Sequence, residues 1–146
     1  MVGLPCSGKT TYARQLAEET GAFVFTPDVW QIRILGQTAC SPYHDKWHTA
    51  IEGIMWELAE KLLRRGFDVI LDFGFWAREE RDDFRGRARR LGAGFRIHYM
   101  DVAANELYRR LEERNKRPHD AAFIIQRSAM DKYMQAFQPP TADELV

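Results

Sequence analysis

The sequence predicts an α/β fold, a parallel sheet with helices on both faces, and three observations lead to this prediction. Residues 3–10 read Gly-Leu-Pro-Cys-Ser-Gly-Lys-Thr and match G-x-x-x-x-G-K-[ST], the phosphate-binding loop that joins a strand to a helix. Short apolar runs then alternate with amphipathic helical segments along the chain. Finally, 146 residues of ordinary composition suit one domain with a core of its own. Such alternation is typical of parallel sheets whose crossover helices lie on both faces.

The predicted elements follow one another along the chain. The first helix starts inside the phosphate-binding loop and ends at Gly21, since glycine readily takes the left-handed conformation that ends a helix. Apolar runs predict buried strands at 22–25, 68–72 and 95–101. Helical spacing of apolar residues predicts helices at 46–65, 104–114 and 121–137, and a change from acidic to basic residues predicts one at 78–91.

Two of these helices have a predicted inward face. In the helix at 46–65, the face consists of Trp47, Ile51, Ile54, Met55, Leu58 and Leu62. In the helix at 121–137, it consists of Phe123, Met130, Met134 and Phe137.

The two ends of the chain are expected to carry truncated strands. A phosphate-binding loop follows the carboxyl end of a strand, yet only Met1 and Val2 precede Gly3. Residues 143–146 look like the start of a last strand. We therefore expect the first and last strands to be incomplete in a single domain that spans residues 1–146.

Composition narrows the classes of partner. The 21 basic and 21 acidic residues cancel, so no overall field attracts nucleic acid or an anionic membrane. No apolar stretch approaches the about 20 residues of a membrane span, and no signal peptide is visible. Cys6 and Cys40 form neither a CxxC pair nor a disulfide framework, so we expect a reducing, cytoplasmic location.

Each fixed position of the loop has a physical role in binding phosphate. Gly3 and Gly8 allow backbone amides to approach a ligand closely, and the helix that follows adds its positive N-terminal end. Lys9 brings a mobile positive charge to the β- and γ-phosphates, and the Thr10 hydroxyl can bind Mg²⁺. The residues expected to bind nucleotide are Gly3, Pro5, Cys6, Ser7, Gly8, Lys9, Thr10 and Thr11, together with Arg110. The alternative is a glycine-rich turn before an ordinary helix.

Cys6 raises a separate question, because it lies inside the loop. Amides and Lys9 are expected to lower the pKa of its thiol. A catalytic thiol is nevertheless the less favoured interpretation, since this motif position is free to vary.

Two carboxylates follow successive strands at the edge where open α/β sheets bind ligands. Asp28 can accept the proton of an attacking hydroxyl, and its alternative role is that of a helix N-cap before Val29. Asp72 can hold Mg²⁺ through water or hold the acceptor, and its alternative role is a strand-end turn with Gly74. Both are therefore candidate site residues.

Arginines near residues 110–122 predict a lid. Arg110 and Arg114 share one helix face, and Arg117 follows. Arginines of this kind can close over ATP and neutralise the charge on the transferring phosphoryl group. The alternative is a solvated face paired with the glutamates Glu106, Glu112 and Glu113.

Together these features resemble the small predicted P-loop kinases that share an ATP-binding core with phage polynucleotide 5′-kinase, zeta toxins, chloramphenicol phosphotransferase and gluconate kinase. The resemblance covers nearly the whole chain. It rests on the loop at 3–10, Pro27-Asp28, residues 71–76 with Arg78 and Arg81, residues 111–117 and the tail 137–144. It implies a P-loop NTPase three-layer sandwich with sheet order 2-3-1-4-5, MgATP as donor, Asp28 as base or acceptor-site residue, and lid contacts from Arg114 or Arg117.

The leading functional hypothesis is therefore an ATP-dependent kinase that acts on a hydroxyl of a small molecule or of a nucleic-acid end. The alternative is a regulatory ATPase or nucleotide-sensing module without an acceptor. The guanine-reading N-K-x-D pattern is absent, since Asn115-Lys116 is followed by Arg117-Pro118. A nucleic-acid acceptor is less favoured, because the basic cluster of Arg85, Arg87, Arg89 and Arg90 is typical of a solvated helix end. His44 and His48 have a spacing that zinc ligands can have, but no third ligand is evident.

Overall fold

The computed structural model describes residues 1–117 and 121–145. Each of its two strands is preceded and followed by helices. In chain order the elements are α1 (Lys9–Thr20), β1 (Phe23–Phe25), α2 (Pro27–Leu35), α3 (His44–Leu63), β2 (Val69–Leu71), α4 (Arg78–Arg90), α5 (Ala104–Lys116) and α6 (Arg127–Ala136), followed by a 3₁₀ turn (Ala142–Glu144). The predicted stop at Gly21 is confirmed, since its φ of 74° lies in the left-handed region.

The sheet of the described residues is parallel and short. β1 and β2 pair in parallel, with Phe23 opposite Val69 and Phe25 opposite Leu71. Val2 forms two further parallel bridges, to Gly74 on one side and to Tyr99 on the other. Only β1 and β2 qualify as strands within the described ranges, so the five-strand order remains a prediction.

Alternation along the strands places helices on opposite faces of this sheet. Val24 and Ile70 pack with Ala13 of α1. Phe25 instead packs with Met55 of α3. The predicted covering of both sheet faces is therefore present around β1 and β2.

Two predicted strands are wrong. Within the described ranges, residues 95–101 form one bridge, between Tyr99 and Val2, and a single bridge is too short to count as a strand. The tail around Asp143 is a 3₁₀ turn instead of the start of a strand. Its capping box, in which Thr141 and Glu144 bond each other's backbone amides, stabilises the turn locally.

Two predicted helix faces also differ from the structure. In α3, Ile54 and Leu58 are exposed, and the buried stripe consists of Ile51, Met55 and Ala59, four residues apart. The last predicted helix begins at Arg127 instead of 121, so the buried Phe123 lies in the segment before it. Ahead of Arg127, Ile125 packs against the buried leucines of α5 and Phe123 contacts His44 of α3, and neither contact requires a helix.

A buried ion pair fastens the tail to the loop after β2. Arg81 is 1% exposed and donates two hydrogen bonds to the Glu144 carboxylate, at 2.6 and 3.0 Å. Its remaining terminal nitrogen donates to the main-chain oxygens of Phe75 (3.1 Å), Trp76 (3.2 Å) and Gln138 (2.9 Å). The hydrogen bonds from Arg81 lower the pKa of Glu144 to about 2. One guanidinium thus fixes both segments.

Across residues 1–117 and 121–145, every helix is too short or too polar to cross a membrane.

Candidate active site

Most of the predicted site residues meet in one cleft of about 790 Å³ at the edge of the sheet where β1 and β2 end. Of the predicted residues, Pro5, Cys6, Gly8, Lys9, Thr10, Thr11, Asp28, Asp72, Arg110 and Arg114 line it. The other three predicted residues, Gly3, Ser7 and Arg117, lie outside the lining. The cleft therefore brings both carboxylates to the phosphate-binding loop.

The loop has the backbone conformation of an anion-binding turn. Cys6 and Gly8 have positive φ angles, 66° and 95°, and α1 begins directly after Gly8. Left-handed residues in such a loop turn amides toward one concave side, and the helix N-terminus adds partial positive charge there. Gly3 packs closely against the far side of the loop. A side chain does not fit there, because a Cβ at this position would lie 2.8 Å from Ser7 Oγ. The geometry suits a phosphate group.

Lys9 folds back over this loop. Its Nζ donates to the Leu4 main-chain oxygen at 2.8 Å. Burial lowers the pKa of Lys9, and the carboxylates of Asp72 and Asp28 oppose that shift. A phosphate oxygen would offer the ammonium group a stronger, charged acceptor than the Leu4 carbonyl.

Asp72 and Thr10 have the donor atoms that Mg²⁺ prefers. Thr10 Oγ1 donates to Asp72 Oδ2 at 2.6 Å, whereas Asp72 Oδ1 is buried without a hydrogen-bond partner among the described residues. Burial raises the pKa of Asp72, opposed by the Thr10 hydrogen bond and the charge of Lys9. A buried oxygen without a donor is costly, and a cation would satisfy it. The two residues therefore fit a magnesium ion whose other ligands are water and phosphate.

Asp28 lies in the first turn of α2, where Thr26 occupies the N-cap and Pro27 the first helical position. The N-cap role considered for Asp28 therefore belongs to Thr26. The Asp28 side chain is 45% exposed, lines the cleft and lies 3.9 Å from His48 Nδ1. Partial desolvation by the surrounding cleft walls raises the pKa of Asp28, while the charges of His48 and then Lys9 oppose the increase. This carboxylate is free to meet a ligand in the cleft.

The arginines of α5 divide into two groups. Arg110 donates to the Cys6 main-chain oxygen at 3.3 Å and to Glu106 at 2.7 Å. Arg114 donates to the Phe123 main-chain oxygen at 3.2 Å, and its Nε is buried without a partner among the described residues. Both line the cleft, whereas Arg117 is exposed at the end of α5. The predicted lid includes residues 118–120, which lie outside the described residues.

A family model described as "AAA domain" matches residues 1–140, nearly the whole chain. This chain belongs to that family. It is a P-loop NTPase-type family that includes kinases and ATPases. A comparison with curated proteins gives no match. The cleft at residues 3–10 is thus the nucleotide site expected of an AAA domain of this type.

Thr10→Ala tests whether Thr10 and Asp72 hold a magnesium ion. Loss of the hydroxyl removes one candidate oxygen ligand and the hydrogen bond to Asp72. We expect the Mg²⁺ concentration for half-maximal MgATP turnover to rise by about tenfold or more. Thr20→Ala is the matched control, because Thr20 lies exposed at the other end of α1. An unchanged metal dependence in Thr10→Ala would remove Thr10 from the site.

The expected lowering of the Cys6 pKa is wrong. Burial raises the pKa of the Cys6 thiol, and the nearby charges of Arg114, Lys9 and Arg110 do not compensate. The thiol therefore stays protonated at neutral pH and contributes its backbone to the loop of the AAA domain.

A polar network on α2 and α3 was missed by the sequence reasoning. Gln31 is fully buried and bonds Thr38, His44 and His48, and His48 Nε2 lies 3.2 Å from Glu52 Oε1. His44, His48 and Glu52 all line the cleft. The sequence does contain a signal for a polar helix face, because these three residues recur every four positions beside the apolar stripe of α3. Among the described residues, no three His, Cys, Asp or Glu side chains are arranged to hold a metal.

Proposed function

We propose that this AAA domain is an ATP-dependent phosphotransferase that moves the γ-phosphate of ATP to a hydroxyl group of a small molecule. The observation that carries the proposal is the position of Asp28. Its carboxylate lines the same cleft as the phosphate-binding loop, and the structure does not need it as a helix N-cap. An ATPase without an acceptor has no need of a carboxylate there.

The loop end of the cleft suits the donor. Lys9, Arg110 and Arg114 line it with positive charge, next to the Thr10–Asp72 pair. When bound, MgATP supplies the phosphoryl group, and the metal offsets part of its negative charge. Lys9 and the two arginines hold the phosphates and stabilise the charge that develops during transfer.

The rest of the cleft lining suits a small acceptor. The volume of about 790 Å³ lies within the roughly 300–1,000 Å³ of ligand pockets. Trp76 and Tyr133 line the cleft with their ring centroids 4.8 Å apart, and Asp45, Glu52 and Glu80 add carboxylates. Such carboxylates repel a polyanion, so a small hydroxyl compound is favoured over a nucleic-acid end.

Asp28 acts as the base in this proposal. The attacking hydroxyl transfers its proton to the carboxylate as its oxygen bonds to the γ-phosphorus, and ADP leaves with the electron pair of the broken P–O bond. Thr26, and not Asp28, occupies the N-cap position of α2, so the start of the helix does not depend on the protonation state of Asp28.

A screen of hydroxyl compounds for ATP consumption tests the proposal, with Asp28→Asn as the deciding variant. The asparagine keeps the size of the side chain and removes the base, so acceptor-dependent turnover is expected to fall by roughly 10²–10⁴-fold without loss of thermal stability. Asp68→Asn, at an exposed aspartate before β2, is the matched control. ATP consumption that needs no acceptor and survives Asp28→Asn would instead support the ATPase.

A further inference from the structure

We propose that His48 is a positively charged positioning residue that favours the ionised form of Asp28. This inference rests on the role proposed for Asp28. It is carried by the hydrogen-bond network around Gln31, which fixes the protonation of His48 step by step.

The first step is the orientation of the Gln31 amide. Gln31 is 0% exposed, and its Nε2 lies 3.3 Å from the His44 main-chain oxygen and 2.8 Å from Thr38 Oγ1. A main-chain oxygen only accepts hydrogen bonds, so the amide must present its NH₂ group on that side. The carbonyl oxygen Oε1 therefore faces His48.

The second step is the protonation of His48. Its Nδ1 lies 3.0 Å from Gln31 Oε1, and its Nε2 lies 3.2 Å from Glu52 Oε1. Both partners are acceptors, so both ring nitrogens must carry a proton and the ring is an imidazolium. Burial opposes this charge, but the hydrogen bond and charge of Glu52, followed by the charges of Asp28 and Asp45, outweigh burial and raise the pKa of His48.

His44 provides an internal contrast. The His44 and His48 rings are stacked with their centroids 5.8 Å apart. However, His44 Nδ1 lies 3.1 Å from the Gln31 NH₂ nitrogen and 3.1 Å from Thr38 Oγ1, and neither partner requires the ring to carry a second proton. Burial, followed by the charge of His48, lowers the pKa of His44, which favours the neutral ring. The network thus places the charge on one ring of the pair.

The third step is the effect on Asp28, whose Oδ1 lies 3.9 Å from His48 Nδ1. The other groups that act on Asp28 are His44 on α3, Lys9 on α1 and Arg114 on α5, while the negative Asp72 follows β2. Lys9 and Arg114 are proposed to hold the phosphates of ATP, which would neutralise their charge. His48 is held in place by Gln31 and Glu52, so it continues to favour the ionised form of Asp28.

The test is a carbon-13 NMR titration of the Asp28 carboxyl group in the full chain without nucleotide. His48→Gln removes the positive charge, so the pKa of Asp28 is expected to rise by about one unit. Glu52→Gln removes the partner that keeps Nε2 protonated, so it should raise the pKa of Asp28 in the same direction. His98→Gln is the matched control, because His98 lies outside the cleft lining and bonds Tyr12 instead.

Two results would overturn the proposal. In the first, the pKa of Asp28 is the same in Glu52→Gln and in folded His48→Gln as in the wild type. In the second, a nitrogen-15 spectrum at pH 7 shows that one His48 ring nitrogen carries no proton. The titration needs neither ATP nor an acceptor, so its result is valid even if the wild-type chain consumes no ATP. A lack of ATP consumption would refute only the proposed function. Where ATP is consumed, the acid limb of kcat/KM should move to higher pH in His48→Gln, as the pKa of the base rises.

Discussion

Replacing Lys9 by alanine is expected to abolish phosphoryl transfer and to leave the fold intact. Among the described residues, the Lys9 ammonium group bonds only the Leu4 main-chain oxygen of its own loop, so we expect the folded state to lose little when it is removed. The phosphates, in contrast, lose a positive charge in a site that Asp28 and Asp72 make negative. Loss of one such stabilising group costs about 10²–10³-fold in kcat or more. Acceptor-dependent ATP consumption and thermal unfolding of the same samples measure both effects.

Lys61→Ala is the matched control for this variant, because Lys61 lies exposed in the last turn of α3. It should retain full turnover. Near-complete activity in Lys9→Ala would refute the assignment of the loop as the phosphate site. A large loss of thermal stability would show that Lys9 has a structural role that its contacts do not explain.

Replacing Arg81 by methionine is expected to lower the free energy of unfolding by about 3–5 kcal/mol at pH 7, measured by urea denaturation. The variant leaves the Glu144 carboxylate buried, since that side chain is 0% exposed, without its charged partner. It also removes the donor to the main-chain oxygens of Phe75, Trp76 and Gln138. The tail and the loop after β2 then lose the buried part of their contact, while the amide of Gln138 still donates to the Trp76 oxygen.

The pH dependence of this variant has a defined sign. In the folded protein the pKa of Glu144 is lowered from 4.5 to about 2, and the largest cause is the hydrogen bonding from Arg81. The stability that this interaction contributes is therefore present above pH 4.5 and is lost as the pH falls toward 2. The difference between Arg81→Met and wild type should therefore narrow over that interval. Arg78→Ala is the control, because the neighbouring Arg78–Asp143 pair is exposed and should matter much less. Equal losses in the two variants would contradict a special role for the buried pair.

The parts of the fold that follow from local chemistry were predictable from the sequence. Gly21 ends α1 where expected, and the acidic start and basic end of α4 mark its bounds within one residue. The segment at 95–101 was not predictable, because strand formation depends on a neighbouring strand that its own residues do not specify. The exposed Ile54 and Leu58 show the same limit, since helical spacing permits several faces and tertiary packing selects one.

The candidate site divides in a similar way. Asp28 and Asp72 were identifiable because parallel strands bring their carboxyl ends to one edge, whatever the details of packing. The network of Gln31, His48 and Glu52 joins two helices, and its geometry depends on how α2 packs on α3. A buried glutamine has no sequence pattern of its own. The four-residue spacing of the polar side chains on α3 was the one sequence signal for this polar network.

The Arg81–Glu144 pair has a consequence for motion. It joins residues that are 63 positions apart in the chain, and the same guanidinium holds the main-chain oxygens of Phe75 and Trp76, two residues of the cleft wall. When the tail detaches, Arg81 loses the Glu144 carboxylate that orients it, and the Trp76 oxygen loses the amide of Gln138, which donates to it at 3.0 Å. The tail and this wall should therefore open together as one cooperative unit. A ligand that contacts Trp76 would then slow hydrogen exchange at the tail amides. Acceptor binding would therefore be detectable by hydrogen exchange in a segment that does not contact the acceptor.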